Sequence, residues 1–360
     1  MAYFEHGGNI YEAARSLQVD LQEIIDFSAN INPLGVPASF REALLNRWDS
    51  IKNYPDPDYT GLVKTIAAEE GVEEKNITAG NGATEVIYEI IRVLKPKKSL
   101  ILAPTFSEYE RALNRVNCDM EYFYLKEENN FQIDVTLLNS INESIDLVIL
   151  CNPNNPTSQL TDRGLMRDIL ELCREKSTAL MVDESFIDFV NQPENETLVP
   201  YIGHYRNLYI IKSLTKFFAI PGLRIGYGVS SNEGILKKIK EEKQPWTINS
   251  FAALAGETVL KDMDYIKKSR EWMKKERDFL FRRLREIDGI KVYSPKANYI
   301  LFKVLREEKD IKSHLFENKV LIRSCCNYKN LTESFFRAAV KDRVSNEYFV
   351  KILKEVLYES

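Results

Sequence analysis

A lysine among apolar side chains is the first residue in the sequence that could carry chemistry. Lys216 is followed directly by Phe217 and Phe218, and Ile220 and Leu223 come soon after. Burial disfavours a charged ammonium, so this setting predicts a pKa below the usual value of about 10.4 and a nucleophilic amine. Such an amine can form a Schiff base with an aldehyde cofactor. The same pattern also fits a buried lysine that pairs with a structural carboxylate.

Two segments have the residue types that bind a phosphate group. Ser213 and Arg224 flank the lysine with a hydroxyl and a permanent cation. Gly80–Glu85 reads Gly-Asn-Gly-Ala-Thr-Glu and opens a predicted helix. Small residues let backbone N–H groups approach an anion, and the N-terminus of a helix favours negative charge. Taken alone, the second segment also fits a tight turn with a threonine cap.

Two further segments follow predicted strands. Asn152–Thr157 reads Asn-Pro-Asn-Asn-Pro-Thr, where prolines stiffen a loop whose asparagine amides are donors; alone, it is a turn signal. Asp183 ends an apolar strand, where it could pair with a ring nitrogen or simply cap a helix. Together the four segments supply a phosphate cradle, an acid, an amide donor and an imine-forming lysine. Those are the requirements of pyridoxal 5′-phosphate.

The elements that must position these residues alternate along the middle of the chain. Short apolar runs predict strands, and amphipathic stretches between them predict helices. This alternation predicts an α/β fold with a mostly parallel sheet covered by helices on both faces. Ligands of such sheets bind beyond the carboxyl ends of the strands. The predicted strands are 99–103, 146–151, 178–182 and 207–211, and the helices include 84–94 and 161–176.

The pattern changes after about residue 250. A long charged helix is predicted over 251–287, and its interleaved acids and bases indicate a solvated face more than a nucleic-acid stripe. Short strands and a closing helix follow, which predicts a smaller C-terminal α/β domain. We divide the chain into an N-terminal segment (1–45) contributing to the substrate site and the small domain, a large cofactor-binding domain (46–250), and a connecting helix with the small domain (251–360). The later strands are predicted at 291–293, 299–303, 320–323 and 335–340, and the last helix at 346–357.

Composition excludes several classes of function. The 360 residues carry 49 basic and 53 acidic side chains, a net charge of −4, which argues against nucleic-acid or anionic-membrane partners. Five cysteines lack Cys-x-x-Cys spacing and only three histidines are present, so no metal site is expected. No apolar run is long enough to span a membrane, and the first residues show no signal stretch. We therefore expect a cytoplasmic protein.

With these motifs in place, the sequence resembles the fold-type I pyridoxal-phosphate enzymes of the class I/II aminotransferase family along nearly its whole length. The lysine motif is specific for the superfamily, and the N-terminal motifs point to a subfamily that acts on phosphorylated substrates. The supporting segments are His6–Asn9, Asp26–Gly35, Ser213–Phe217, Pro245–Trp246 and Leu321–Cys325. The resemblance implies a large domain with a mostly parallel sheet and a smaller C-terminal domain.

The resemblance also assigns roles to individual residues. Lys216 would form the Schiff base with the cofactor, Asp183 would pair with its pyridinium nitrogen, and Asn155 would donate to its phenolic oxygen. Phe106 would stack on the cofactor ring. The cofactor phosphate would be bound by Ser213, Arg224, Gly82, Ala83 and Thr84. The resemblance also implies a homodimer with shared sites, in which Tyr54 of the second subunit reaches this phosphate. The implied substrate contacts are Arg337 for the α-carboxylate and His6, Asn32 and Arg323 for a substrate phosphate, with Asn155 beside them.

The activity implied is decarboxylation of L-threonine O-3-phosphate to (R)-1-amino-2-propanol O-2-phosphate in cobalamin biosynthesis. An aminotransferase acting on a phosphorylated substrate such as histidinol phosphate is the alternative, and a binding protein that retains the fold is a third. Two residues depart from the aminotransferase pattern: Phe186 stands where a tyrosine is usual, and Ser158 where Asn-Pro-Thr is usually followed by glycine. The phenylalanine favours the decarboxylase.

Overall fold

The computed structural model describes residues 7–305 and 310–358. Its α-helices are α1 Ile10–Leu17, α2 Ala38–Asn46, α3 Thr60–Glu70, α4 Ala83–Leu94, α5 Glu108–Asn114, α6 Arg163–Glu175, α7 Leu214–Phe217, α8 Glu233–Glu242, α9 Ser250–Val259, α10 Met263–Arg285, α11 Ile311–Glu317 and α12 Arg343–Tyr358. Its strands are β1 Ile25–Asp26, β2 Ile77–Gly80, β3 Lys98–Ala103, β4 Asp119–Tyr124, β5 Leu147–Cys151, β6 Ala179–Asp183, β7 Leu208–Ser213, β8 Gly226–Val229, β9 Ile290–Val292, β10 Tyr299–Val304, β11 Val320–Leu321, β12 Arg323–Ser324 and β13 Phe335–Ala339. Within these residues, no helix is both long and apolar enough to cross a membrane.

The large sheet has the strand order β2-β8-β7-β6-β5-β3-β4. Strands β4, β3, β5, β6 and β7 run parallel to one another, whereas β8 is antiparallel to both β7 and β2. The mostly parallel sheet predicted from the sequence is therefore confirmed. It brings the carboxyl ends of β3, β5, β6 and β7 to one edge.

Both faces of the large sheet are buried, as its near-continuous apolar strands predict. In β5, Val148 and Leu150 join the core on one face, together with residues of α6 and α10. Ile149, between them, joins a second core on the other face with residues of α4, α5 and α8. The alternation of side chains along each strand thus divides one apolar run between two helical layers.

A smaller antiparallel sheet follows in the order β12-β13-β10-β9, with α10 and α12 packed near it. The N-terminal segment joins this part of the molecule, because β1 pairs in parallel with β11, Ile25 opposite Val320 and Asp26 opposite Leu321. Residues 320–323, predicted as one strand, are two short strands that belong to different sheets. The division of the chain into three ranges stays a prediction.

The charged region after residue 250 is two helices and not the single long helix that the sequence predicts. Three residues separate α9 from α10. Asp262, the last of them, caps α10 by accepting a hydrogen bond from the backbone N–H of Tyr265 at 3.0 Å, and it also accepts one from the hydroxyl of Ser39. The break lets α9 pack against α2 and α3, while α10 runs toward β9.

Candidate active site

Lys216 lies in α7, directly after β7 at the sheet edge. Its Nζ donates a hydrogen bond to Ser213 Oγ at 3.1 Å and lies 5.4 Å from the centre of the Phe186 ring. Burial lowers the pKa of Lys216, and the nearby Arg224 cation lowers it further against the opposing effect of Asp183. The predicted direction is confirmed. The ring that faces the amine, however, is Phe186, whereas Phe217 packs into the core.

The alternative interpretation, a buried lysine paired with a structural carboxylate, describes Lys212 instead. Its Nζ lies 2.9 and 3.0 Å from the two carboxylate oxygens of Glu70, and 3.9 Å from Glu184. Burial alone would lower the pKa of Lys212, but the surrounding carboxylates outweigh it and raise the pKa. Lys212 is held as a permanent cation, while Lys216, four residues later, is the lysine with the weakened ammonium.

Asp183 ends β6 with Cys151 of β5 opposite it, and it is buried. Its two oxygens accept separate hydrogen bonds, from Tyr109 Oη at 2.6 Å and from the backbone N–H of Ser185 at 2.9 Å. The fully buried Tyr109 has a pKa well above the ordinary value because of burial and the adjacent carboxylate, so its phenol stays protonated and donates. Asp183 is thereby fixed as an oriented hydrogen-bond acceptor at the sheet edge and not as a simple helix cap.

The residues of the predicted phosphate cup lie at the start of α4 and on either side of α7 in the chain. Gly82 has a φ of +89°, and a side chain there would place Cβ 2.6 Å from Nη2 of Arg224. A Cβ on Gly226 would lie 2.4 Å from the backbone N of Ala83. Glycine at both positions therefore lets the backbone that leads into α4 approach the exposed Arg224 guanidinium and β8. A cation beside the start of a helix, whose first residues are Ala83 and Thr84, suits an anion.

A hydrogen bond joins Asn155, which follows β5 of the large sheet, to Arg337, which lies in β13 of the small sheet. Arg337 donates from Nη1 to Asn155 Oδ1 at 2.5 Å and from Nη2 to the backbone oxygen of Ser28 at 2.8 Å. Its Nε is buried and has no hydrogen-bond partner among the described residues. A buried donor without an acceptor is costly, so the guanidinium is suited to an anionic ligand.

Arg323 and Arg337 are direct register partners on β12 and β13. Opposed residues of an antiparallel pair place their side chains on the same face, with Cβ atoms about 5 Å apart. Both arginines are buried, at 8% and 6% exposure. An anionic ligand placed between or beside the two guanidinium groups would be attracted by both.

Asn32 is hydrogen-bonded within the scaffold. Its Nδ2 donates to the backbone oxygen of Phe217 at 2.8 Å and to Ser269 Oγ at 2.9 Å, and its Oδ1 accepts from the N–H of Leu34 at 3.1 Å. These contacts favour a role in holding the N-terminal segment against the lysine segment, and contact with a substrate phosphate stays a prediction. His6 lies outside the described residues.

The two predicted aromatic contacts occupy different environments. Phe106 follows β3 and lines the same cavity as Lys216, Asp183 and Asn155, with its ring edge-on to Tyr109 at 5.6 Å. Tyr54 is 80% exposed, and its ring stacks on that of Trp246, with centroids 4.7 Å apart. Phe106 therefore lies within the cleft of this chain, whereas Tyr54 is on the surface.

Ser158, the departure from the usual glycine, takes a positive φ of +60° and is fully buried. Its Oγ accepts hydrogen bonds from the backbone N–H groups of Lys296 and Ala297, at 3.1 and 2.9 Å. A hydroxyl in this backbone conformation therefore links the Asn155 loop to the segment that enters β10.

We expect Ser158→Ala to lower the free energy of unfolding by about 1–3 kcal/mol, because buried N–H donors lose their acceptor while the positive φ remains. Ser158→Gly loses the same bonds but relieves the backbone, so it should cost less. Urea denaturation of both variants checks this order, with exposed Ser144→Ala as a control that should change by under about 0.5 kcal/mol. A glycine variant less stable than the alanine variant would contradict it.

Three further residues of the site were not among those predicted: Tyr109, Ser185 and Tyr328. Tyr109 stands three residues after Phe106, a spacing that places both on one face of a helical turn and could have signalled it. The buried Ser185 Oγ lines the cavity and has no hydrogen-bond partner within the described ranges. Tyr328, whose hydroxyl reaches Asn155 Oδ1 at 3.3 Å, has no such sequence signal.

Comparison with known proteins gives matches along nearly the whole chain. Residues 22–353 match the family described as Aminotransferase class I and II. The threonine-phosphate decarboxylase of Salmonella typhimurium is 38% identical over 359 residues, which cover 99% of this chain and 98% of that protein.

Two solved structures share the fold. The L-threonine-O-3-phosphate decarboxylase from Porphyromonas gingivalis aligns with a TM-score of 0.82 at 26% identity, covering 93% of this chain and 99% of that one. The histidinol-phosphate aminotransferase from Clostridium acetobutylicum aligns with a TM-score of 0.88 at 37% identity, covering 94% and 100%. The similarity to solved structures thus includes both of the activities expected from the sequence.

Proposed function

Because the chain belongs to the class I and II aminotransferase family, we propose that it uses pyridoxal 5′-phosphate to decarboxylate L-threonine O-3-phosphate. The product is (R)-1-amino-2-propanol O-2-phosphate, a building block in cobalamin biosynthesis. Sequence similarity to threonine-phosphate decarboxylase over 99% of the chain supports this assignment. The observation that carries it beyond similarity is the pair of facing arginines.

The residues at the sheet edge fit the cofactor. The close approach of Gly82 to the Arg224 guanidinium, beside the start of α4, suits the cofactor's phosphate. Asp183 presents an oriented carboxylate, and the Ser185 hydroxyl, which has no partner among the residues that the structure describes, lines the same cavity as Lys216. Lys216, Asp183, Asn155, Phe106, Ser213 and Arg224 would hold the cofactor, with the backbone of residues 82–84. When bound, pyridoxal phosphate supplies an electron sink conjugated to the α-carbon of the substrate.

Arg323 and Arg337 suit a substrate with two anionic groups. Threonine phosphate carries an α-carboxylate and a phosphate, so it can neutralise both guanidinium groups at once. Histidinol phosphate carries a phosphate but no carboxylate. Charge-assisted hydrogen bonds are roughly twice as strong as neutral ones. We therefore assign Arg337, whose buried Nε has no partner in the described part of the chain, to the carboxylate and Arg323 to the phosphate.

Each of four residues of the chain then has a separate role in the reaction. Arg337 and Arg323 bind the two ends of the substrate and so restrict its rotation in the cleft, which helps to select the bond that breaks. Asp183 keeps a proton on the ring nitrogen of the cofactor. Lys216, whose lowered pKa makes its ammonium form a readier proton donor, would deliver a proton to the α-carbon after carbon dioxide leaves.

Transamination of a phosphorylated substrate remains the second candidate, because a solved histidinol-phosphate aminotransferase is 37% identical with a TM-score of 0.88. Phe186 argues against it. The phenylalanine ring, edge-on to Tyr299 at 4.9 Å, has no hydroxyl to donate to the cofactor's phenolic oxygen.

A homodimer with shared sites is part of the proposal. Five large apolar residues are exposed, and two of them, Tyr54 and Trp246, stack on each other; the five are Leu45, Trp48, Ile51, Tyr54 and Trp246. The exposure of these residues, and the stacking of Trp246 on Tyr54, support a contact with a second copy, which would bring Tyr54 to the partner's cofactor phosphate. A cytoplasmic location also belongs to the proposal.

Product analysis tests the reaction type. Purified holoenzyme is offered L-threonine O-3-phosphate and, separately, histidinol phosphate with 2-oxoglutarate, and both carbon dioxide and keto products are measured. We expect carbon dioxide and aminopropanol phosphate from the first substrate. Arg323→Ala should raise the Michaelis constant and increase the fraction of cofactor lost as pyridoxamine phosphate. Faster transamination of histidinol phosphate than decarboxylation of threonine phosphate would establish the aminotransferase instead.

A further inference from the structure

We propose that Tyr328 is a positioning residue that couples Arg323, at the phosphate end of the substrate, to Asn155 beside the cofactor. The inference rests on the proposed function, because that function assigns Arg323 to the substrate phosphate. Tyr328 lies between β12 and β13 of the small sheet, whereas Asn155 follows β5 of the large sheet. The side chain therefore connects the two parts of the site.

At one end, the Tyr328 hydroxyl donates to Asn155 Oδ1 at 3.3 Å, and Arg337 donates to the same oxygen at 2.5 Å. A carbonyl oxygen has two lone pairs, and a guanidinium has donors only. Turning the amide over would place its NH₂ group against donors. The two contacts therefore fix Oδ1 toward the small sheet and turn the NH₂ group of Asn155 toward the cavity that it lines with Lys216 and Asp183.

At the other end, the guanidinium carbon of Arg323 lies 5.2 Å from the centre of the Tyr328 ring, within the range of a cation–π contact. Arg323 also donates from Nη2 to Asn327 Oδ1 at 2.8 Å, and Asn327 is the residue directly before Tyr328. The ring is 8% exposed. An anion that draws the guanidinium toward itself therefore acts on a tightly packed ring and on its neighbour in the chain.

The consequence is a link between substrate recognition and the chemistry of the cofactor. A donor bound to Oδ1 polarises the amide and makes its N–H a stronger donor to the cofactor's phenolic oxygen. A phosphate on Arg323 strengthens this link through Tyr328, whereas a substrate without phosphate leaves the link as it stands in the substrate-free enzyme. The phosphate thus contributes to the rate after binding as well as to affinity.

Tyr328→Phe tests the hydroxyl while keeping the ring under Arg323. The readouts are the pH titration of the visible absorption band of the substrate-free holoenzyme, and kcat and KM on L-threonine O-3-phosphate and on L-threonine. We expect the apparent pKa of the band to rise and kcat on threonine phosphate to fall about three- to tenfold, the value of one hydrogen bond. KM should change less than about twofold, and kcat on threonine should fall by a smaller factor than kcat on threonine phosphate. Tyr328→Leu, which also removes the ring, should raise KM in addition.

Tyr348→Phe is the matched control, since it removes a tyrosine hydroxyl that donates at 3.4 Å to the backbone oxygen of Asn318, in the small domain. It should leave the band and both kinetic constants unchanged. A Tyr328→Phe enzyme that titrates like wild type and keeps its kcat would overturn the inference. Failure of wild type to act on threonine phosphate would instead overturn the proposed function and the phosphate half of the coupling, and the band titration would decide whether the hydroxyl acts on Asn155.

Discussion

Lys216→Ala is expected to lower turnover by at least about 10³-fold while leaving a folded protein. The amine is both the attachment point of the cofactor and the proton donor assigned above, and loss of general acid–base catalysis alone costs 10²–10⁴-fold. Borohydride treatment checks the attachment separately: it should trap the cofactor covalently on wild type, where the visible band is lost, but not on the variant. The readouts are steady-state turnover and the mass of the reduced protein.

Lys240→Ala is the control for the lysine substitution. Lys240 lies in α8 with a side chain that is 71% exposed, in a surface pair with Asp58. Its removal should change neither turnover nor trapping. Near-normal turnover by Lys216→Ala would rule out the assignment, whatever its stability.

Asp183→Ala should lose roughly 10²–10³-fold in kcat, the usual effect of removing one preorganised electrostatic contact at a reacting centre. Without the carboxylate, the ring nitrogen of the cofactor is no longer kept protonated, so electron withdrawal weakens. Cofactor occupancy, measured by absorbance after gel filtration, should fall far less, because the phosphate cup is intact. Asp183→Glu retains the charge and should be milder.

Tyr109→Phe provides a graded comparison for Asp183. It removes one of the two hydrogen bonds to the carboxylate but leaves the bond from the Ser185 N–H. The expected loss in kcat is about three- to tenfold, far below that of Asp183→Ala. An alanine variant at position 183 that binds cofactor poorly, yet runs at the wild-type rate when saturated, would show that the carboxylate serves binding and not electron withdrawal.

The buried strands of the large sheet are predictable because their signal is local. The run predicted at 99–103 is the strand Lys98–Ala103, and that predicted at 207–211 is Leu208–Ser213. The break between α9 and α10 was missed because amphipathic periodicity continues through it, while the cap at Asp262 depends on its three-dimensional surroundings. The split of 320–323 is not predicted for a related reason: β11 pairs with β1 at the other end of the chain, whereas β12 pairs with the nearby β13 in another sheet.

The residues of the candidate site are predictable from the sequence where the chemistry requires one residue type, such as a lysine for a Schiff base. Lys216 stood out by its apolar neighbours in sequence, although the ring it faces, Phe186, is thirty residues away and comes from another strand end. Tyr109 bonds Asp183 across 74 residues and Tyr328 bonds Asn155 across 173. Such partners are brought together by the tertiary fold, so the spacing of residues in the sequence does not predict them.

The pairing of β1 with β11 has a consequence for how the chain assembles during translation. Ile25 leaves the ribosome 295 residues before its partner Val320, an interval of roughly 15–60 s at typical rates of synthesis. The large sheet can form in that interval, but the N-terminal segment has no strand to pair with. Such distant pairing also slows folding, since the loop must close before the contact is made. A nascent chain stalled before residue 320 should therefore keep residues 7–26 accessible to protease while its large sheet is already protected.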